Sequence, residues 1–223
     1  MYIERKSPLS AIIASAETKK KINAEGAPGL WDRSKSVLAI DFETAHNFNE
    51  ICNREFSSAC QVGLAFYDAA TGEVHTASSF IRPDPFKMDL GSSRIHGITL
   101  EMLEYAPSFE QVYEDLLLPY MRRSELLVAH NAPFDMRVLY NALQYYQLSE
   151  PGITCACTLA MAKQYLRGQK NGLGALCEAY GIELDHHEAS SDALACLRVF
   201  EKFSDEGFEY FGRSIEKMMQ SRT

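Results

Sequence analysis

Four consecutive apolar residues, Val37-Leu38-Ala39-Ile40, run directly into Asp41-Phe42-Glu43. A short unbroken run of strand formers suits a strand buried on both faces at the centre of a sheet. A second strand is expected at 59–67, from Ala59 to Tyr67, and a third from Val74 to Ile81. The Thr71-Gly72 connection is short enough to make these two an antiparallel hairpin. After Pro83 and Pro85 the period changes: Phe109, Val112, Tyr113, Leu116 and Leu117 recur at helical spacing. Leu126-Leu127-Val128-Ala129 is another short buried strand. Asp135 to Tyr146 reads as a helix with Val138, Leu139, Ala142 and Leu143 on one face, and Ile153 to Cys157 as a last short strand. Further helices are expected at about 158–166, 173–180 and 190–203. A hairpin-containing sheet followed by alternating helices and strands defines the α/β class.

The 223 residues suit one domain with room for a sizeable core. Residues 1–35 read as an N-terminal extension and 36–223 as the folded domain. A C-terminal helix is expected to close that domain, with Phe208, Phe211, Ile215 and Met218 at near-helical spacing. In the extension, Leu9, Ile12, Ile13 and Ala16 have helical spacing before the breaker cluster Gly26-Ala27-Pro28-Gly29. Packing on the domain, binding a partner and staying mobile are all open to it. Arg5 and Lys6 ahead of an apolar stretch superficially resemble an export signal. That stretch is short, broken by serines and followed by Lys19, Lys20 and Lys21. No apolar run approaches the roughly 18 residues of a membrane span. Six scattered cysteines read as buried free thiols in a reduced, cytoplasmic compartment. Cys155 and Cys157 lack the second pair that a structural zinc site usually shows. The net charge of −8 argues against a broad nucleic-acid surface, though not against an enzyme gripping a few terminal nucleotides.

Three groups of residues carry the chemistry. Strand alternation points Asp41 and Glu43 to one side and Phe42 into the core. Two adjacent carboxylates at a strand end repel, and a hard divalent cation between them removes that cost. Two solvated acids are the plain alternative. Asp135, in His130-Asn131-Ala132-Pro133-Phe134-Asp135, falls near a helix N-terminus, where an acid is favoured and often caps the backbone. It also sits at a strand-to-helix transition, where ligands of open α/β sheets collect. In His187-Glu188-Ala189-Ser190-Ser191-Asp192, Ser190 or Ser191 can cap the last long helix, and Asp192 falls in its first turn. His187 precedes that helix, and taken alone it reads as a surface histidine.

As a set and in this order, D-F-E-T, N-A-P-F-D and H-x-A-x-x-D resemble the three motifs of the DEDDh 3′→5′ exonuclease family. Within it the nearest likeness is to the exonuclease domain of DNA polymerase III epsilon subunits. The resemblance covers roughly residues 36–203. Ile95-His96-Gly97-Ile98-Thr99 is similar to the family's H-G-I-T segment. Leu173 and Leu176, with Gly181-Ile182, resemble the family's L-x-x-L lead-in to the last motif. The resemblance implies a ribonuclease H-like fold, a central mixed five-stranded sheet flanked by helices. It implies two Mg²⁺ or Mn²⁺ ions held by Asp41, Glu43, Asp135 and Asp192, with His187 as general base near neutral pH. The substrate implied is the 3′ end of single-stranded nucleic acid, DNA ahead of RNA, and the product a nucleoside 5′-monophosphate. Expected substrate contacts are the Thr44 and Ala45 backbone, His96, Asn131 and Phe134, the last equally readable as core.

Several features depart from the pattern or extend it. Cys157-Thr158 stands where the family often has Asp-Thr, at little expected cost because Thr158 still opens the helix. The long stretch Ala45–Ser58 is expected to form a lip over the substrate groove. His186 stands beside His187 and can share its titration. Lys163, Arg167 and Lys170 share a helical face only if their helix continues, and read either as a solvated face or as phosphate contacts. Two other functions compete. One is an exoribonuclease, as in oligoribonuclease and ribonuclease T relatives. The other is a proofreading or binding subunit partnered with a DNA polymerase, against which the short stretch Ser204–Thr223 counts.

Overall fold

The run at 37–40 becomes the middle of a five-stranded sheet in the computed structural model, which describes residues 28–47, 51, 56–186 and 188–221. A two-residue strand β1 (Pro28–Gly29) precedes the central β2 (Val37–Thr44), which is followed by β3 (Ala59–Asp68) and β4 (Glu73–Phe80). Next come helices α1 (Leu90–His96) and α2 (Phe109–Val112), then a π-turn at Tyr113–Leu117 leading into α3 (Leu118–Arg123). Strand β5 (Leu126–Ala129) leads to helix α4 (Ala132–Tyr145), and β6 (Thr154–Cys157) to α5 (Thr158–Tyr165) and α6 (Leu173–Tyr180). Helix α7 (Ala189–Asp205), strand β7 (Tyr210–Phe211) and helix α8 (Ile215–Met219) complete the order. The sheet order is β4-β3-β2-β5-β6. The first three strands are antiparallel and β5 and β6 run parallel to β2, so the expected mixed five-stranded sheet forms.

Alternation along β2 divides the core in two. Leu38, Ile40 and Phe42 face a layer that includes Val62, Leu64, Phe109, Leu139 and Ile215. Val37 and Ala39 face the other layer, with Ala65, Leu176, Leu197 and Phe200. Asp41 and Glu43 continue this second series, so they emerge on the face covered by α7. That face of the sheet is lined by small residues, Ala39, Gly63 and Ala65, and the helix lies close against it. A Cβ at Gly63 would fall 2.0 Å from the Ala189 carbonyl carbon and oxygen and 2.3 Å from the Ser190 nitrogen. Only glycine lets the α7 N-terminus rest on β3 opposite Asp41, its partner in register.

Some expected boundaries move. Residues 28–35 belong to the packed structure: β1 pairs antiparallel with β7, and Trp31 is buried. The Trp31 ring stacks on Phe200 of α7 with centroids 5.6 Å apart, and the Arg33 guanidinium lies 4.2 Å above it. Residues 1–27, including the helical pattern at 9–16, lie outside the described residues. The single closing helix expected after 203 is split, because Gly207 takes φ 78° and ends α7, Phe208 turns into the core, and Tyr210–Phe211 pair as strand. Among the described residues beyond Asp205, only Ile215–Met219 is helical. Helix α5 stops at Tyr165, and Gly168 at φ 81° turns the chain, so Lys163, Arg167 and Lys170 do not share one helical face. The described cysteines, Cys60, Cys155, Cys157, Cys177 and Cys196, are free and buried. Among the described residues no helix is long and apolar enough to cross a membrane.

Candidate active site

Asp41, Glu43 and Asp192 converge, each offering a carboxylate oxygen within 4.8 Å of the others. Strand alternation brings the first two together, and the close seat of α7 over Gly63 brings the third. Between Glu43 and Thr44 the register with β3 slips from Gln61 to Ala59, a bulge that ends regular pairing where the acids lie. The α7 N-cap is Glu188, whose Oε2 accepts from the Ser191 N–H at 2.7 Å and from the Ser190 hydroxyl. This corrects the expectation of a serine cap: the helix starts at Ala189, so both serines lie inside its first turn. Asp192 does fall in that turn, 5% exposed.

Asp135 stands behind the trio rather than among it. Its helix starts at Ala132, three residues earlier than expected, so the carboxylate does not cap it. Instead Oδ1 accepts the Phe42 N–H at 3.1 Å, and the residue is 2% exposed. This bond ties α4 to the strand between the two other acids. Burial raises the Asp41 carboxyl well above the usual range, and Asp135, Asp192, Glu43 and Glu188 push the same way. Burial, then Asp192, raises Glu43 to about 7. Burial takes Asp135 to about 8 against the opposing Phe42 hydrogen bond. So many carboxylates in a poorly hydrated space cannot all be ionised unless cations share it. An all-oxygen donor set of this kind fits hard divalent ions.

His187 lies outside the described residues. His186 is described: its Nδ1 sits 3.2 Å from Asp192 Oδ1, and its Nε2 lies where a Cβ on Gly174 would come within 2.6 Å.

A cleft of about 380 Å³ opens beside the acids, lined by Glu43, Thr44, His46, Ile95, His96 and Phe134 among others. This volume is within the range of small-molecule sites. His96 Nδ1 faces the Ile98 N–H at 3.1 Å and must accept from it. The ring proton is therefore on Nε2, which donates to the Thr44 carbonyl at 3.2 Å. His96 both lines the cleft and fixes the end of β2. Phe134 combines its two expected roles, packing on the core and lining the cleft. Asn131 holds a left-handed turn at φ 66°, which asparagine tolerates, at the start of α4.

Ala45 is not available as expected. It is fully buried, its N–H donates to the Ser58 carbonyl at 2.8 Å, and its carbonyl accepts from the Asp89 N–H at 2.7 Å. The described part of the Ala45–Ser58 stretch does border the cleft, through His46, Asn47 and Ile51. Asn141 of α4 anchors it by donating to the Ile51 carbonyl. Thr158 opens α5, and the Cys157 sulfur caps it by accepting from the Ala160 N–H at 3.4 Å.

No motif or apolar period in the sequence singles out Gly63, Glu188 or His46 for these positions. An isolated glycine inside a strand pattern was the available signal for the first.

The family model described as Exonuclease matches residues 38–200. The DNA polymerase III epsilon subunit of Buchnera aphidicola subsp. Schizaphis graminum is 31% identical over 196 residues, covering 85% of this chain and 72% of the relative. That of Haemophilus influenzae is 37% identical over 107 residues, 47% of this chain and 41% of the relative. The matches thus span 41% and 72% of these two relatives' lengths. Among solved structures, Exonuclease X in complex with 5′ overhanging duplex DNA is 26% identical with a TM-score of 0.54, covering 82% of this chain and 97% of that one. A full-length 3′-exonuclease superposes with a TM-score of 0.65 at 17% identity, covering 81% and 85%. The fold is ribonuclease H-like.

Proposed function

The chain belongs to this exonuclease family, and on that premise we propose that it removes nucleoside 5′-monophosphates from the 3′ end of single-stranded DNA. The observation that carries the proposal is the convergence of Asp41, Glu43 and Asp192 within 4.8 Å. We assign these three as ligands of Mg²⁺ or Mn²⁺, two ions per site, with Asp135 supporting them from behind. When bound, such ions stabilise charge on the attacking and leaving oxygens of an in-line displacement.

The chain's own groups do the rest. Asp135 holds the Phe42 backbone and with it the spacing of Asp41 and Glu43. The cleft beside Glu43 takes the terminal nucleoside, with Phe134 and Ile95 as apolar walls and His96 fixing the Thr44 carbonyl on its floor. His187, assigned by the H-x-A-x-x-D spacing, accepts the proton of the attacking water. DNA is preferred over RNA because the relatives carry the name of DNA polymerase III subunits. The same names support a polymerase as the partner class.

The test is hydrolysis of matched 5′-labelled DNA and RNA oligomers with Mn²⁺. Stepwise shortening of DNA from the 3′ end, abolished in Asp41→Ala/Asp192→Ala, is expected. Full activity in that double variant would overturn the site, and stronger turnover of RNA would overturn the choice of DNA.

A further inference from the structure

The protein carries 30 acids against 22 Lys and Arg, yet as an exonuclease it must hold a polyanion at an acidic centre. The imbalance is reversed locally. Residues 151–177 contain no Asp or Glu, and their charged side chains are Lys163, Arg167 and Lys170. All three are exposed, Lys163 in the last turn of α5 and the others on the loop 166–172. None is held in an ion pair among the described residues.

This loop and the helix α6 it leads into are each tied to residues beside the catalytic centre. On one side the His130 ring, next to Asn131 and α4, bonds the Asn171 main chain, and its Nδ1 meets the Thr158 hydroxyl at 2.9 Å. The Lys163 ammonium lies near enough to this ring to disfavour its protonation, which burial already opposes. On the other side Gly174 lies against His186, whose ring reaches Asp192. The Gly168 turn just beyond α5 lets the chain return to His130 at Asn171. Arg167 and Lys170 lie on this return, between α5 and Asn171.

We propose that Lys163, Arg167 and Lys170 form the surface that grips the backbone phosphates of the nucleic-acid strand entering the site. This rests on the exonuclease reading. The terminal nucleoside lies in the cleft on the Ile95 side, and the upstream strand leaves past α5 and the loop. Contacts of this kind are to phosphate, so they carry no base preference. They also explain how an acidic protein binds its substrate without a broad basic face.

Salt dependence tests the proposal directly. Each phosphate neutralised on a single strand contributes a slope of about −0.7 in log affinity against log salt. The triple variant Lys163→Gln/Arg167→Gln/Lys170→Gln alters only exposed side chains, and its melting temperature should match the parent. With a single-stranded DNA oligomer and Mn²⁺, its kcat/KM should fall at low salt. Its salt slope should flatten by up to about two, three contacts at the value above. A control variant, Arg122→Gln/Lys202→Gln/Lys217→Gln, removes the same charge from exposed positions elsewhere and should keep the parent slope. An unchanged slope in the first variant, or equal flattening in both, would overturn the proposal. A parent protein inactive on every nucleic acid would instead overturn the exonuclease reading on which it rests.

Discussion

Replacing Gly63 by alanine should damage the site without touching an acid. The added Cβ would stand 2.0 Å from the Ala189 carbonyl atoms, whereas ordinary contact begins at 3.4 Å, so backbone must move by roughly 1.4 Å. No flexible side chain can absorb this, because the obstructing atoms are the first peptide of α7. The helix N-terminus must lift from β3, taking Asp192 away from Asp41 and Glu43. Overpacking of this kind costs about 1–3 kcal/mol. For a chain of this size that corresponds to about 2–4 °C in Tm per kcal/mol. A misplacement near 1 Å in a catalytic constellation costs about 100-fold in rate. The assay is kcat/KM on a single-stranded DNA oligomer across a Mn²⁺ titration, with a thermal melt of the same sample. Lower Tm, a rate loss near 100-fold and a higher Mn²⁺ requirement are expected together. Parental activity with a lowered Tm would show that the helix moves without displacing Asp192, and would refute the reasoning.

Two further outcomes follow from the same geometry. Glu43 and Asp135 titrate near 7 and 8 instead of 4.5 and 3.8. Between those limits the metal-free fold holds protons that the unfolded chain has lost, so stability is greatest below the ordinary values and is lost as pH rises toward the raised ones. Tm in EDTA should therefore fall from about pH 5 to about pH 8, and Mn²⁺ should lessen or reverse that fall; a rising Tm in EDTA would contradict the account. The two adjacent histidines should also separate kinetically. His187→Ala should lower kcat by about 10²–10⁴-fold at unchanged Mn²⁺ half-saturation, as for a general base. His186→Ala should chiefly raise the Mn²⁺ requirement, since its ring bears on Asp192. Indistinguishable profiles would remove the distinction.

What could be read from the sequence followed from local pattern. The run at 37–40 announced the central strand, alternation put Asp41 and Glu43 on one side, and the spacing at 173–180 marked α6. Helix α1 leaves no mark in the sequence: none of its residues is buried, so it carries no apolar period. The Phe42–Asp135 hydrogen bond joins residues 93 apart, and no local rule anticipates it. Glu188 as a cap ran against the preference for short polar side chains at that position. Apolar spacing at 208–218 resembled a helix only while Gly207 and the pairing of Tyr210–Phe211 with Pro28–Gly29 were left out. The family motifs located the carboxylates but said nothing of Gly63, which decides how near α7 comes.

The packing of Trp31 has an optical consequence. It is the chain's only tryptophan, and its indole rests on Phe200, two turns along the helix that carries Asp192. Tryptophan emission, excited selectively over the eleven tyrosines, therefore reports from a single place, the junction of the 28–35 segment and α7. Detachment of the Phe200 end of that helix in denaturant exposes the indole to water and shifts its spectrum to the red. Departure of the carboxylate-bearing helix can thus be followed with no label and no substrate, separately from unfolding of the opposite layer of the sheet.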